Sequence, residues 1–167
     1  RRSSDLSTQI SLKDLVSLNY FLGVEVTPVK TGLHLSQSKY ISDLLSRHNM
    51  TDTKPLSTPM SSDFPLHRQL DLPIKDETKY RAIVGSLQYL SLTRPDIAYS
   101  VNKLAQFLIH PTADHWTALK RLLRYLAGTI HHGLVIRKSP KLPLHAYCDA
   151  DWDGDKEDYI STTGYVT

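Results

Sequence analysis

The apolar residues change period several times along this chain, and each change predicts an element. Residues 20–29 (YFLGVEVTPV) are rich in β-branched and aromatic types, as a strand requires. Lys30, Thr31 and Gly32 offer a turn, and 33–36 can pair back, which predicts a β-hairpin. Ser36 is placed to cap the next element. There Tyr40, Ile41, Leu44 and Leu45 recur at helical spacing between Gln37 and His48. Residues 50–75 lose all period. Pro55, Pro59, Pro65 and Pro73 stand among serines and threonines, which reads as a linker or extended strap rather than a packed element. Asp76 caps a helix that runs to about Leu92, with Ile83, Val84, Leu87 and Leu90 as its apolar stripe. Thr93-Arg94-Pro95-Asp96 is a sharp joint, and Pro95 suits the first turn of another helix. Ile97, Val101, Leu104, Ala105 and Leu108 give that helix its buried face, and Pro111 ends it. A third helix spans about 113–127 on Trp116, Leu119, Leu122, Leu123 and Leu126, with Gly128 as its C-terminal stop. Strands are expected at 133–137, 142–152 and 159–167.

Hairpin, helix, strap, three helices and the start of a sheet make an α+β order without internal repeats. Two or three terminal strands cannot bury one another well without partners, so the last part reads as unfinished. A length of 167 residues suits one ordinary domain or two small ones, and 40% hydrophobic residues suffice for a core. The single cysteine, Cys148, excludes an internal disulfide and a cysteine cluster for zinc. No apolar run approaches the ~18 residues of a membrane span, and RRSSDLSTQ lacks the apolar core of a signal peptide. An intracellular chain without a membrane partner is expected. The first residue is not methionine, so a piece of a longer chain is expected as well.

The net charge of +3 is mild, but its distribution changes the picture. From Trp116 to Cys148 there is no acidic residue, while Lys120, Arg121, Arg124, Arg137, Lys138 and Lys141 all fall there. The next ten residues, DADWDGDKED (149–158), hold six carboxylates. A basic surface beside an acidic pocket suits an enzyme that holds a polyanion and positions metal ions on it. Solvated faces of opposite sign are the plainer alternative. The acidic run begins as D-x-D-x-D-G, the opening of a calcium-binding EF-hand loop, with Asp149, Asp151 and Asp153 at positions 1, 3 and 5 and Gly154 at 6. Position 12 is Ile160, where such a loop needs a bidentate glutamate, and LHAYC before it reads as strand rather than helix. A strand end that delivers Asp149 to a two-metal site, where ions ~4 Å apart need clustered oxygen ligands, fits better. A solvated acidic turn is the third reading.

Seven stretches then place the chain beside a known family: YFLGVEV (20–26), LSQSKYI (35–41), KPLSTPM (54–60), YRAIVGSLQYLSLTRPDIAYSVNKLAQF (80–107), LKRLLRYLAGT (119–129), DADW (149–152) and STTGYV (161–166). In this order the chain resembles the Pol polyprotein of copia-type retrotransposons, from the end of the reverse transcriptase into ribonuclease H. The likeness runs over nearly the whole chain from about Ile10. It implies the end of the palm at 1–49, a proline-rich strap at 50–75, thumb-like helices at 76–112, a connecting basic helix at 113–132 and a truncated ribonuclease H-like start at 133–167. Leu22 and Gly23 would belong to the hairpin that grips the primer end. Gly85, Ser86 and Gln88 would face the template–primer duplex or RNA–DNA hybrid, and tight helix packing is the alternative for Gly85 and Ser86. Lys120, Arg121 and Arg124 would meet phosphates, or form a neutral basic face. Asp149 would be a ribonuclease H magnesium ligand, with Asp151 the weaker candidate and Trp152 a packing residue.

The family's Tyr-x-Asp-Asp turn and the remaining ribonuclease H carboxylates are missing from these 167 residues. Neither catalytic site is complete, and the chain alone is expected to be inactive and to bind no Mg²⁺ tightly. In the parent enzyme Mg²⁺ would serve both reactions, and the rest of the Pol polyprotein would be a partner. Val16 and Asp153 stand where the family usually has glycine and alanine. A decayed relic, or a helical interaction module without activity, is the alternative function, and a calcium-binding loop at 149–160 is the remote one.

Overall fold

The computed structural model describes residues 19–61, 66 and 74–138, and the backbone of 147–151 and 162–166. The chain opens on β1 (Tyr20–Phe21), β2 (Val24–Val29) and β3 (Gly32–Ser36). The stretch expected as one strand is therefore broken. Phe21 pairs with Val24 across a two-residue turn, in which Leu22 has φ 48 and Gly23 φ 78. Positive φ at both central residues matches the twist of a tight hairpin. Glycine adopts it freely, whereas Leu22 is held there at a cost of about 1 kcal/mol.

The strand Gly133–Arg137, β4, pairs antiparallel with β3, so the sheet order is β1-β2-β3-β4. This corrects the grouping of 133–137 with the strands that follow it. Glycine at each end of the ladder lets the two strands meet. A Cβ on Gly32 would lie 1.9 Å from the Ile136 carbonyl oxygen, and one on Gly133 would lie 2.2 Å from that of Leu35. The register puts Phe21, Val26, Leu33, Leu35, Leu134 and Ile136 on one face, because directly paired residues share a side. Val26 is buried there.

Four helices complete the described residues: α1 (Ser38–Arg47), α2 (Glu77–Leu90), α3 (Ala98–Ala105) and α4 (Ala113–Gly128), with a 3₁₀ turn at Pro95–Ile97 before α3. Their apolar stripes close one core, with Ile41, Leu44, Leu87, Leu104, Leu119 and Leu122 fully buried. Asp76 caps α2 by accepting from the Lys79 amide at 2.8 Å. Ser36 does not cap α1. Its hydroxyl donates to Glu25 at 3.4 Å, and the Glu25 carboxylate instead accepts from the Lys39 amide at 2.8 Å, a negative group at a helix N-terminus.

The helix after Pro95 is shorter than its apolar face predicts. After Ala105 the amides of Gln106 and Phe107 bond back only three residues, and Arg81 Nε takes the Leu108 carbonyl at 2.8 Å. Gly128 stays helical, and Thr129 is the C-cap. A Cβ on Gly128 would stand 2.9 Å from Pro55 Cβ, so the glycine makes room for the strap instead of ending the helix. The described part of the strap, 50–61, is accordingly packed, against expectation, and the Leu56 amide reaches the Arg124 carbonyl at 3.4 Å. β5 (Tyr147–Asp151) and β6 (Thr162–Val166) form a separate antiparallel pair. The expectations at Val16, Trp152, Asp153, Gly154 and Ile160 lie outside the described residues.

Candidate nucleic-acid interface

The tip of the first hairpin is tied to α2. The Tyr89 hydroxyl donates to the Leu22 carbonyl, and a Cβ on Gly23 would meet that same hydroxyl at 2.8 Å. Tyr89 is held from behind by Tyr40 of α1, whose ring meets it edge-on with centroids 5.2 Å apart. The Tyr40 hydroxyl donates to the Ser86 carbonyl at 3.3 Å. Two tyrosines thus fix the turn beside one face of α2. Leu22, Gly85 and Gln88 are exposed there, while Gly23 and Ser86 are half-buried.

Gly85 faces open space, since nothing lies within 4 Å of a Cβ built on it. Packing among the described residues therefore does not account for that glycine, which weakens the helix relative to alanine. Ser86 turns its hydroxyl back to the Ala82 carbonyl at 2.9 Å. The resulting surface is small and polar, and it displays little that distinguishes one base from another. Such a surface suits contact with a duplex backbone.

The basic residues of α4 are gathered elsewhere, against the strap. Arg121 donates to Thr58 Oγ1 at 2.7 Å, and Arg124 Nε donates to the Lys54 carbonyl at 2.7 Å. Lys120 is exposed.

Asp149 and Asp151 stand at alternate positions of β5, paired with Gly164 and Thr162 of β6. The calcium-loop reading of 149–160 is countered at 149–151, while 152–160 lie outside the described residues. Residues 149–151 are extended strand in an antiparallel ladder, whereas the first turn of an EF-hand loop must curl its ligands around one ion. Mg²⁺ takes oxygen donors, which both aspartates supply. Two carboxylates of one strand do not make a two-metal set, and among the described residues no three His, Cys, Asp or Glu come together. No catalytic step is derived from them.

The pattern of the sequence did not point to Tyr40, which read as an ordinary member of an apolar stripe, or to Tyr89, which no stripe included. It also gave no hint that Arg94 is buried. Arg94 is 1% exposed. It holds Asp96 through two bonds of 2.9 and 2.7 Å and reaches Thr129 at the end of α4 through its carbonyl and hydroxyl, at 2.9 and 2.8 Å. The Tyr125 hydroxyl donates to the same carboxylate at 2.8 Å. Burial alone would raise the pKa of Asp96, but hydrogen bonds from Arg94 and Tyr125 and the Arg94 charge outweigh it and hold the carboxyl below its ordinary value. The neighbouring Thr93 hydroxyl donates to Gln37 at the start of α1 at 2.7 Å. The joint therefore knots three helices together.

Comparison with known proteins gives the context of this surface. No protein-family profile matches the chain, and no solved structure matches it. The chain is 56% identical over 162 residues to the retrovirus-related Pol polyprotein from transposon RE1 of Arabidopsis thaliana, covering 97% of this chain and 11% of that protein. It is 40% identical over 172 residues to the retrovirus-related Pol polyprotein from transposon TNT 1-94 of Nicotiana tabacum, covering 97% of this chain and 13% of that protein. An uncharacterized mitochondrial protein of Arabidopsis thaliana is 46% identical over 165 residues, covering 97% of this chain and 67% of its own length. The chain thus spans about a tenth of the Pol polyproteins it matches, and it belongs to the copia-type retrotransposon Pol polyprotein family.

Proposed function

We propose that this chain is the segment of a retrotransposon Pol polyprotein in which the reverse transcriptase passes into ribonuclease H. The hairpin tip and α2 form the surface along which the template–primer duplex runs. The observation that carries the reading is the Tyr89 bond to the Leu22 carbonyl. It joins the turn that would grip the primer end to the helix that would follow the duplex, and leaves Gly85 open beside them. The β5–β6 ladder supports reading Asp149 as the metal ligand that this strand would bring to a ribonuclease H site in the whole polyprotein, where Mg²⁺ would bind. The chain alone carries neither polymerase nor nuclease activity.

A photo-crosslinking amino acid at Gln88 tests this. It attaches to a labelled RNA–DNA hybrid, whereas the same group at exposed Ser46 of α1 does not. Equal labelling at both positions, or none at Gln88, overturns the assignment of the surface.

A further inference from the structure

Beneath the strap, α4 borders a cavity of about 630 Å³, within the range of small-molecule sites. Its floor is apolar, formed by Met50, Leu56, Met60 and Ala118. Its rim carries Lys54, Lys120, Arg121 and Arg124, and none of the described residues lining it is acidic. Among the described residues no carboxylate pairs with any of these four cations. Arg121 Nε is buried and has no hydrogen-bond partner among the described residues, although the other end of the guanidinium is fixed on Thr58. A buried donor left unmade is costly, and like charges gathered around low-dielectric walls focus a positive potential into the cleft. An apolar body would fill the floor, and a single anionic group on it would reach the rim and answer both features.

We propose that this cavity binds a small amphipathic anion, an apolar chain or ring bearing one carboxylate or phosphate. The site stands apart from the duplex surface, and neither depends on the other. The cavity also carries its own reporter. The chain has two methionines, and both line the cavity. In protein labelled at the methionine methyls, decanoate or decyl phosphate, kept below micelle-forming concentration, shifts both NMR signals saturably. Which of the two binds more tightly decides between a carboxylic acid and a phosphate ester as the natural class. Decyltrimethylammonium binds at least about tenfold more weakly, which is the sign that the rim, not the floor alone, selects. Lys120→Gln, at an exposed position, weakens the anion by about fivefold, in keeping with the loss of one partly solvated charge. Ala118→Trp fills the cavity and abolishes the shift. Absence of any saturable methionine shift, equal affinity for the anion and the cation, or unchanged binding in Lys120→Gln overturns the proposal.

Discussion

Arg94 keeps its charge in the interior because each of its three guanidinium nitrogens donates to oxygen. Asp96 takes two of its bonds and Thr129 takes two more. Asp96→Asn removes the charge that balances it. We expect a loss of about 2 kcal/mol in urea unfolding, below the full value for a buried pair because this carboxylate is partly solvated. The pH dependence follows from the lowered pKa of Asp96. A carboxyl held below its unfolded value of about 3.9 contributes fully above that pH and loses its contribution as the pH falls through the folded value. The gap between wild type and Asp96→Asn therefore narrows in acid, and a gap as wide at pH 3 as at pH 7 would refute the role. Gly85 makes the opposite prediction. Alanine there stabilises α2 by about 0.5–1 kcal/mol, read as a raised Tm, yet weakens hybrid binding severalfold. A stabilised variant with unchanged binding would show that the glycine serves no duplex. The sequence marked Gly85 through its family likeness, but not Arg94. A charged residue before a proline reads as a surface turn, and only the fold reveals that the chain ends of α2 and α4 converge on it.

At the scale of elements, the helices were legible because their apolar stripes repeat at 3.6 residues. The joints were less so. Asp76 is visible as a cap in sequence, while the capping of α1 by Glu25 depends on a strand eleven residues upstream of Ser36. Gly128 looked like a helix stop because glycine commonly is one. Its use as a gap for Pro55 depends on a partner more than seventy residues away, and no local pattern carries that. The strap gives a direct test. Gly128→Val pushes a side chain into Pro55 and costs about 1–3 kcal/mol as an overpacked contact. We expect faster cleavage within 50–61 by a nonspecific protease, and unchanged cleavage would mean that the strap is not held by this contact. β4 was legible as a strand, but its partner was not. Periodicity says which face is apolar and leaves open which edge a strand will join.

At the scale of the whole molecule, one face of the sheet stays partly open among the described residues. Phe21, Leu33 and Ile136 share that face and are 58%, 40% and 50% exposed. Leu33 and Ile136 are direct partners across β3 and β4, and adjoining exposed apolar side chains favour association. Ile136→Thr is expected to raise the soluble fraction of the purified chain while leaving its Tm nearly unchanged, and a large fall in Tm would mean that the face is already covered. The same view bears on chemistry. Asp149 and Asp151 sit on one strand of a two-stranded ladder, and a two-metal mechanism needs carboxylates from several elements. The isolated chain should not cut an RNA–DNA hybrid with Mg²⁺ present, and cleavage lost in Asp149→Ala would contradict this.

The hairpin tip and α2 are proposed to hold a duplex together. The most direct measurement is fluorescence anisotropy of a labelled RNA–DNA hybrid titrated with the purified chain across a potassium chloride series. Saturable binding is expected at the lowest salt, with a marked loss of affinity in Gly85→Ala at every salt concentration. No binding at the lowest salt, or binding that Gly85→Ala leaves untouched, would contradict the proposal.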